Sequence, residues 1–240
     1  MNNNPKISIV TVCYNAVETI EETILSVINQ SYINKEYIII DGKSTDGTLD
    51  IVSKYAKDIS MIVSEPDKGI YDAMNKGLKH ATGDWISFIN AGDKYHNNNV
   101  LQDIFTKQFE NIKVIYGDTA FIRPNGISVE KSFEPDWLKI NMPTCHQSFF
   151  VKTHEAMEIG FDTQYKYASD YNMIYNIIQK HGIKSVVHTS VVVSTYNACE
   201  GFSMEFPNSV FKETLKIRKP SISRAYGYLR YYIKKAIGCK

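Results

Sequence analysis

The 240-residue sequence predicts an α/β fold built on a Rossmann-like, mostly parallel sheet flanked by helices, and three observations carry that prediction. Short β-branched runs alternate with helically spaced apolar residues through the first half of the chain. The strongest runs each end in an unusual polar cluster: Cys13-Tyr14-Asn15, Asp41-Gly42 and Asn90-Ala91-Gly92-Asp93. Beyond Asp118 the alternation gives way to a hairpin pattern and longer loops.

Taken in order, Ile7 to Val12 reads as a buried strand from its β-branched content. Asn15 has the position of an N-cap, with Glu18 three residues on in a capping-box arrangement. Val17, Ile20, Ile24, Val27 and Ile28 follow at helical spacing. Glu36 to Ile40 is a second strand and runs into the polar turn DGKSTDGT. A helix through Leu49, Val52 and Tyr55, a strand near Met61 to Val63, a helix from Ile70 to His80 and a strand over Trp85 to Ile89 come next. A helix around Val100 to Phe109 and a strand from Val114 to Asp118 complete this half. Phe121-Ile122 and Ile127 to Val129 flank Arg123-Pro124-Asn125-Gly126, a hairpin signal with Asn-Gly in the turn. A helix from Ser169 to Lys180 and one or two strands within Ser185 to Thr195 close the pattern. Without a repeat or a low-complexity linker, the stretches 1–95 and 96–205 should form two halves of one body, with 206–240 as a tail.

A hydrophobic fraction of 43% and a charged fraction of 22% are ordinary for a globular chain that buries a full core. Cys13, Cys145, Cys199 and Cys239 are scattered and form no CxxC pair, which argues against structural zinc or a disulfide framework and fits a reducing compartment. The start MNNNPK has no apolar h-region, and no apolar run approaches the roughly 18 residues of a membrane span, so a cytoplasmic location is expected. The net charge of +1 hides an asymmetry: Phe211 to Lys240 holds nine basic residues against Glu213, a net +8, leaving −7 for the rest. In Ser221 to Lys240, Tyr226, Leu229, Ile233 and Ile237 share one helical face while Arg230, Lys234 and Lys235 lie off it. Such a helix reads as lying on an anionic membrane surface; a helix docked on the body with a solvated basic face is the alternative. Nothing matches a nucleic-acid recognition motif.

In an open α/β sheet, ligands bind beyond the carboxyl ends of the strands, where these polar clusters fall. No GxGxxG follows the first strand and no GxxxxGK[ST] occurs, so neither dinucleotide nor P-loop chemistry applies. The edge must instead use an aromatic or carboxylate for a base and a metal for a diphosphate. Asp41 can accept from a base N–H, Tyr14 can pack on its face, and Asp93 is placed to hold a divalent cation.

The runs SIVTVCYNAVETIEETILSVINQSY, YIIIDGKSTDGT and EPDKGIYDAMNKGLKHATGDWISFINAGD resemble the inverting family 2 glycosyltransferases of GT-A fold, near the branch that builds bacterial surface polysaccharides of the colanic-acid, O-antigen and capsule type. The resemblance implies a donor nucleotide-sugar, with UDP as the family's usual nucleotide, and a nucleotide pocket at Thr11, Tyr14, Asn15 and Asp41. Asp67-Lys68-Gly69 would lie against the donor, Asn75 and Gly77 match an Asn-x-Gly helix segment, and Asn90, Ala91, Gly92 and Asp93 occupy the place of a metal-binding Asp-x-Asp motif. Only the final Asp of that motif is present; one carboxylate with phosphate oxygens and water still completes an octahedral Mg2+ or Mn2+ shell. Residues 1–95 become the nucleotide-sugar half and 96–205 the acceptor half. The implied acceptor is a lipid-linked saccharide at the membrane face, with a homodimer left open.

Inversion needs a general base opposite the leaving diphosphate. The family puts that carboxylate at the start of a helix in the second half, where Asp170 stands; Asp162 is the rival and Asp84 a weaker one. His146 and Gln147 match a further motif of the branch and, with Trp137, are expected to face acceptor or donor sugar. Each carboxylate also has a plainer reading, as an Asx-turn residue for Asp41 and Asp46 and as an N-cap for Asp93 and Asp170. His146 and His188 have one as satisfied buried histidines. Three other functions compete. A nucleotidyltransferase would want a basic Gly-rich loop after the first strand; a glycoside hydrolase would not need the nucleotide edge; a non-catalytic sugar-nucleotide module would fit the incomplete metal motif.

Overall fold

The computed structural model describes residues 4–139, 141–197 and 206–218. Ile7–Cys13 (β1) is buried at every position because both its faces are covered. Ile7 and Ile9 enter one core, Val10 and Val12 the other. That burial explains its nearly continuous apolar run. Lys35–Asp41 (β2) and Trp85–Phe88 (β4) flank it in parallel, and Met61–Ser64 (β3) lies parallel beyond β2.

The second half extends the sheet with mixed polarity. Phe149–Lys152 (β8) runs antiparallel to β4, and Val114–Arg123 (β6) antiparallel to β8. Val186–Asn197 (β9) is parallel to β6, Lys94–Tyr95 (β5) is antiparallel to β9, and Gly126–Glu130 (β7) folds back on β6. Among the described residues the result is one nine-stranded sheet in the order β3-β2-β1-β4-β8-β6-β9-β5, with β7 beside β6. The sheet runs unbroken past residue 95, since Lys94 pairs with Thr195 and Tyr95 with Ser194.

Helices sandwich this sheet. Ile20–Ile28 (α1), Thr48–Lys54 (α2) and Val100–Phe105 (α4) bury Ile24, Val52 and Ile104 in one core. Ile70–His80 (α3), Thr153–Ile159 (α5) and Ser169–His181 (α6) bury Met74, Ala156 and Ile177 in the other. Pro207–Ile217 (α7) packs Ile217 against Ala168, Tyr171 and Tyr175. The described part of the 206–240 stretch therefore joins the body, while the amphipathic pattern over 221–240 lies outside the described residues. No helix among the described residues is long and apolar enough to cross a membrane.

Three local expectations are corrected. Asn15 does not cap a helix: its φ of 47° is left-handed, its N–H donates to Ser44 Oγ at 2.8 Å, and its Oδ1 accepts from Thr45 N at 2.9 Å. The loop after β2 takes the groups a cap would use, and α1 begins later, after Thr19, without a side-chain cap. The helix begun at Val100 stops at Phe105 rather than Phe109. In the hairpin, Arg123 pairs with Gly126, so Pro124 and Asn125 form the tip and Gly126 takes the positive φ of 119° just after it.

Gly77 has a packing role. A Cβ there would collide with Val10 Cγ1 and sit 3.3 Å from Ile40 Cγ1, so glycine lets α3 lie directly on β1 and β2. That approach carries the N-terminus of α3 to the site. Gly77→Ala should destabilise the protein by about 1–3 kcal/mol through overpacking, read as a lower melting temperature.

Candidate active site

The parallel register sets Cys13 opposite Asp41 and Val10 opposite Phe88, so the chain leaves all three strands at one edge. At the β1–β2 end, Tyr14 is 64% exposed, offering an open aromatic face. A Cβ on Gly42 would lie 2.5 Å from Asp67 Oδ2 and 3.2 Å from Tyr14 Cδ2. Glycine at 42 thus lets the Asp67 carboxylate and the Tyr14 ring close over the strand end. Asp67 Oδ1 accepts from Gly69 N at 2.8 Å, Lys68 N donates to Asp72 Oδ2 at 3.0 Å, and Gly69 opens α3 at φ 117°.

Other residues expected at the nucleotide are engaged internally. Thr11 is fully buried, donating to the Ile89 carbonyl at 2.7 Å and accepting from Tyr37 at 2.9 Å. Asp41 is also fully buried; it accepts from Ser44 N at 3.0 Å, Ser64 Oγ at 2.6 Å and the Ser44 hydroxyl, which ties the β2 turn to β3. Asn75 exchanges two 2.8 Å bonds with the Phe161 backbone and clips α3 to the turn after α5. These three shape the edge from behind. Trp137 stacks on Phe133 with ring centroids 4.6 Å apart, outside the cleft lining. Asp162 accepts from Gln164 N at 3.1 Å in a local turn, and Asp84 accepts from Lys6 N at 2.8 Å at the start of β4; neither lines the cleft. His188, half-buried, pairs with the buried Asp118 at 2.9 Å.

Beside this edge opens a cleft of about 490 Å3, lined by Asn90 to Asp93, His146, Gln147 and Asp170. Its floor is a turn in which Asp93 N donates to Asn90 O at 2.9 Å, with Gly92 at φ 96°. Ala91 N donates to Val12 O at 3.1 Å, so the turn hangs from the end of β1. Across it, Asn90 Nδ2 donates to His146 Nε2 at 3.0 Å, and His146 Nδ1 faces Asp170 Oδ2 at 3.5 Å. With Nε2 accepting, the proton of the neutral ring sits on Nδ1, toward the carboxylate. Asp170 Oδ1 also accepts from Tyr71 Oη at 3.2 Å and from Tyr171 N at 2.7 Å. Burial pushes the His146 pKa down, and the neighbouring Asp170 charge opposes this only in part. Tyr71 on α3 was not singled out from the sequence; its place within an apolar helical pattern gave no sign that its hydroxyl reaches the cleft.

Asp93 is the most perturbed carboxyl of the cleft: burial pushes it up to about 7, and the 2.7 Å bond from Gln147 Nε2 offsets this only partly. Asn90 Oδ1 and Gln147 Oε1 are buried without a partner. A carboxylate and two orphaned amide oxygens form a hard-oxygen donor set, the type that Mg2+ or Mn2+ takes. Among the described residues no group of three His, Cys, Asp or Glu is arranged to hold a metal without other ligands.

Residues 8–161, well over half of the chain, match the model of the family described as glycosyl transferase family 2. The chain belongs to that family and is a glycosyltransferase. It is 28% identical over 217 residues to a PGL/p-HBAD biosynthesis glycosyltransferase of Mycobacterium bovis (strain BCG / Pasteur 1173P2), covering 88% of this chain and 84% of that one. It is 38% identical over 106 residues to the TuaG glycosyltransferase of Bacillus subtilis (strain 168), named for teichuronic acid biosynthesis, covering 43% and 42%. Among solved structures, Staphylococcus aureus TarS 1–349 in complex with UDP superposes with a TM-score of 0.68 at 19% identity, over 88% of this chain and 64% of that chain. The mannosyltransferase PcManGT of Pyrobaculum calidifontis, in complex with GDP-Man and Mn2+, gives 0.64 at 20% identity over 80% and 56%. These likenesses bear out the GT-A fold.

The buried Asp93 sets a pH dependence. Its carboxyl stands at about 7 in the fold against 3.8 in the unfolded chain, so the folded state holds the extra proton between those values. The metal-free protein should lose stability as pH rises through that window. Asp93→Asn should flatten that slope and stabilise the metal-free protein above neutrality by on the order of 2–4 kcal/mol. It should also abolish any rise in melting temperature on adding Mn2+; thermal scans across pH, with and without the ion, read both effects.

Proposed function

We propose that the protein transfers a hexose or N-acetylhexosamine from a UDP-sugar, with inversion, to a hydroxyl of a lipid-linked saccharide in bacterial surface polysaccharide synthesis. The observation that carries this reading is the line Asp93–Gln147 and Asn90–His146–Asp170 across one cleft. A candidate base and a hard-oxygen donor set line the same cleft, and this supports the reading. The relatives named for PGL/p-HBAD and teichuronic acid biosynthesis support a surface-glycan acceptor, and the neighbour solved with UDP supports the donor.

In this reading the uracil packs at Tyr14 with Asp67 beside it, and the sugar reaches into the cleft. Asp93, Asn90 and Gln147 would hold a divalent cation, which supplies Lewis-acid neutralisation of the diphosphate. Asp170 accepts the proton of the acceptor hydroxyl while that oxygen bonds to the anomeric carbon from the face opposite the donor bond. The anomeric C–O bond breaks and its electron pair leaves with UDP. Tyr71 Oη and Tyr171 N fix one Asp170 oxygen, leaving the other toward His146 and the cleft. The far wall, with Tyr167, Tyr196 and Asn197, offers aromatic and amide groups suited to an acceptor sugar. An acceptor carried on a lipid agrees with peripheral attachment to the cytoplasmic membrane face through the basic tail.

A panel of UDP-hexoses with Mn2+ and a lipid-diphosphate sugar acceptor tests the assignment by release of UDP and formation of product. Asp170→Asn should lower transfer by about 10²–10⁴-fold, the range for losing a general base, with UDP affinity unchanged. Full turnover in that variant would remove Asp170 from the role.

A further inference from the structure

The segment that delivers Asp170 to the cleft is held from a distance by one carboxylate. Lys166 N donates to Glu213 Oε1 at 2.9 Å, while Tyr167 N and Ala168 N donate to Glu213 Oε2 at 2.7 and 3.0 Å. These are three consecutive backbone N–H groups, and Ala168 is the residue immediately before α6. Asp170 stands two residues further on, in the first turn. The contact joins residues 45 to 47 positions apart in the chain. Glu213 lies on α7, whose Ile217 packs on Ala168, Tyr171 and Tyr175, and whose Thr214 and Val210 line the cleft.

We propose that Glu213 is a positioning residue for the general base, making α7 an integral part of the catalytic unit. One carboxylate accepting from three successive amides fixes the backbone on the approach to α6 through charge-assisted bonds, and a negative charge suits the start of a helix. The apolar contact of Ile217 brings α7 to this place without specifying the orientation of the 166–168 peptides; Glu213 supplies that. The first turn of α6 then aims Asp170 between Tyr71 and His146, where an error of about 1 Å costs on the order of 100-fold in rate.

The inference rests on Asp170 as base, and the experiment separates the two claims. In the full-length chain, Glu213→Ala should raise hydrogen–deuterium exchange at the amides of residues 166–168 while amides in β1 and β4 stay protected. It should lower kcat for UDP release by about 100-fold, with the donor KM and UDP affinity unchanged. Glu213→Gln, which keeps an acceptor oxygen, should recover much of the rate and protection. Unchanged exchange at 166–168, or lost protection at an undiminished kcat, overturns the proposal; so does a loss of kcat accompanied by loss of UDP affinity and general deprotection, which marks mere fold support. Asp170→Asn run alongside tests the base itself: normal turnover there rejects the base, while the exchange data still judge the Glu213 clamp.

Discussion

The parallel register of β1 between β2 and β4 is the constraint on which the site depends. All three strands are buried with apolar side chains wherever helices cover both faces, and such strands carry few polar groups until they end. The register makes them end together, with Asp41 beside Cys13 and the Asn90 turn bonded to Val12 O. Polar chemistry therefore collects at one edge as a result of packing. The close seat of α3, which Gly77 permits, then brings Tyr71 from the helix start to the same edge.

Three buried carboxylates show how the fold treats charge at the edge and away from it. Glu155, remote from the cleft, is surrounded by Lys180 at 3.0 Å, His181 at 2.8 Å and Lys113 at 3.4 Å; despite burial, its partners hold its carboxyl down at about 2. Asp41 is tied by two hydroxyls and a backbone N–H. Both are settled into the fold by their hydrogen-bond partners. Asp93 has one amide donor, two unpartnered amide oxygens nearby, and a carboxyl lifted to about 7. An under-paired buried set in a cleft is what the proposed metal role asks for, and perturbed carboxyls cluster at functional sites.

The sequence was most legible where function and packing share a short segment. The strand runs at Ile7 and Trp85 and the helix at Ile70 to His80 all appear near their expected bounds, because period and burial agree there. Reading failed where a contact crosses the chain. Asn15 looks like a cap until the loop at Ser44 and Thr45 takes its groups. The partners of Thr11 and Asn75, namely Tyr37, Ile89 and Phe161, likewise lie far along the chain and leave no local sign. Glu213 had no signature: its partners are backbone amides in irregular chain, which leave no residue pattern, and the family match ends at residue 161, before either side of the contact.

The same balance of burial and charge decides how His146 and Asp170 divide their roles. A histidine 3.5 Å from a carboxylate could form an ion pair that neutralises the carboxylate. Here burial lowers the imidazole pKa more than Asp170 raises it, so the ring stays neutral near pH 7. Asn90 donating to Nε2 fixes the tautomer with its proton on Nδ1, and the ring orients the carboxylate without cancelling its charge. That suits the role proposed for Asp170 as the base. An amide at 90 suits that arrangement, since it donates to Nε2, where a carboxylate would favour the protonated ring.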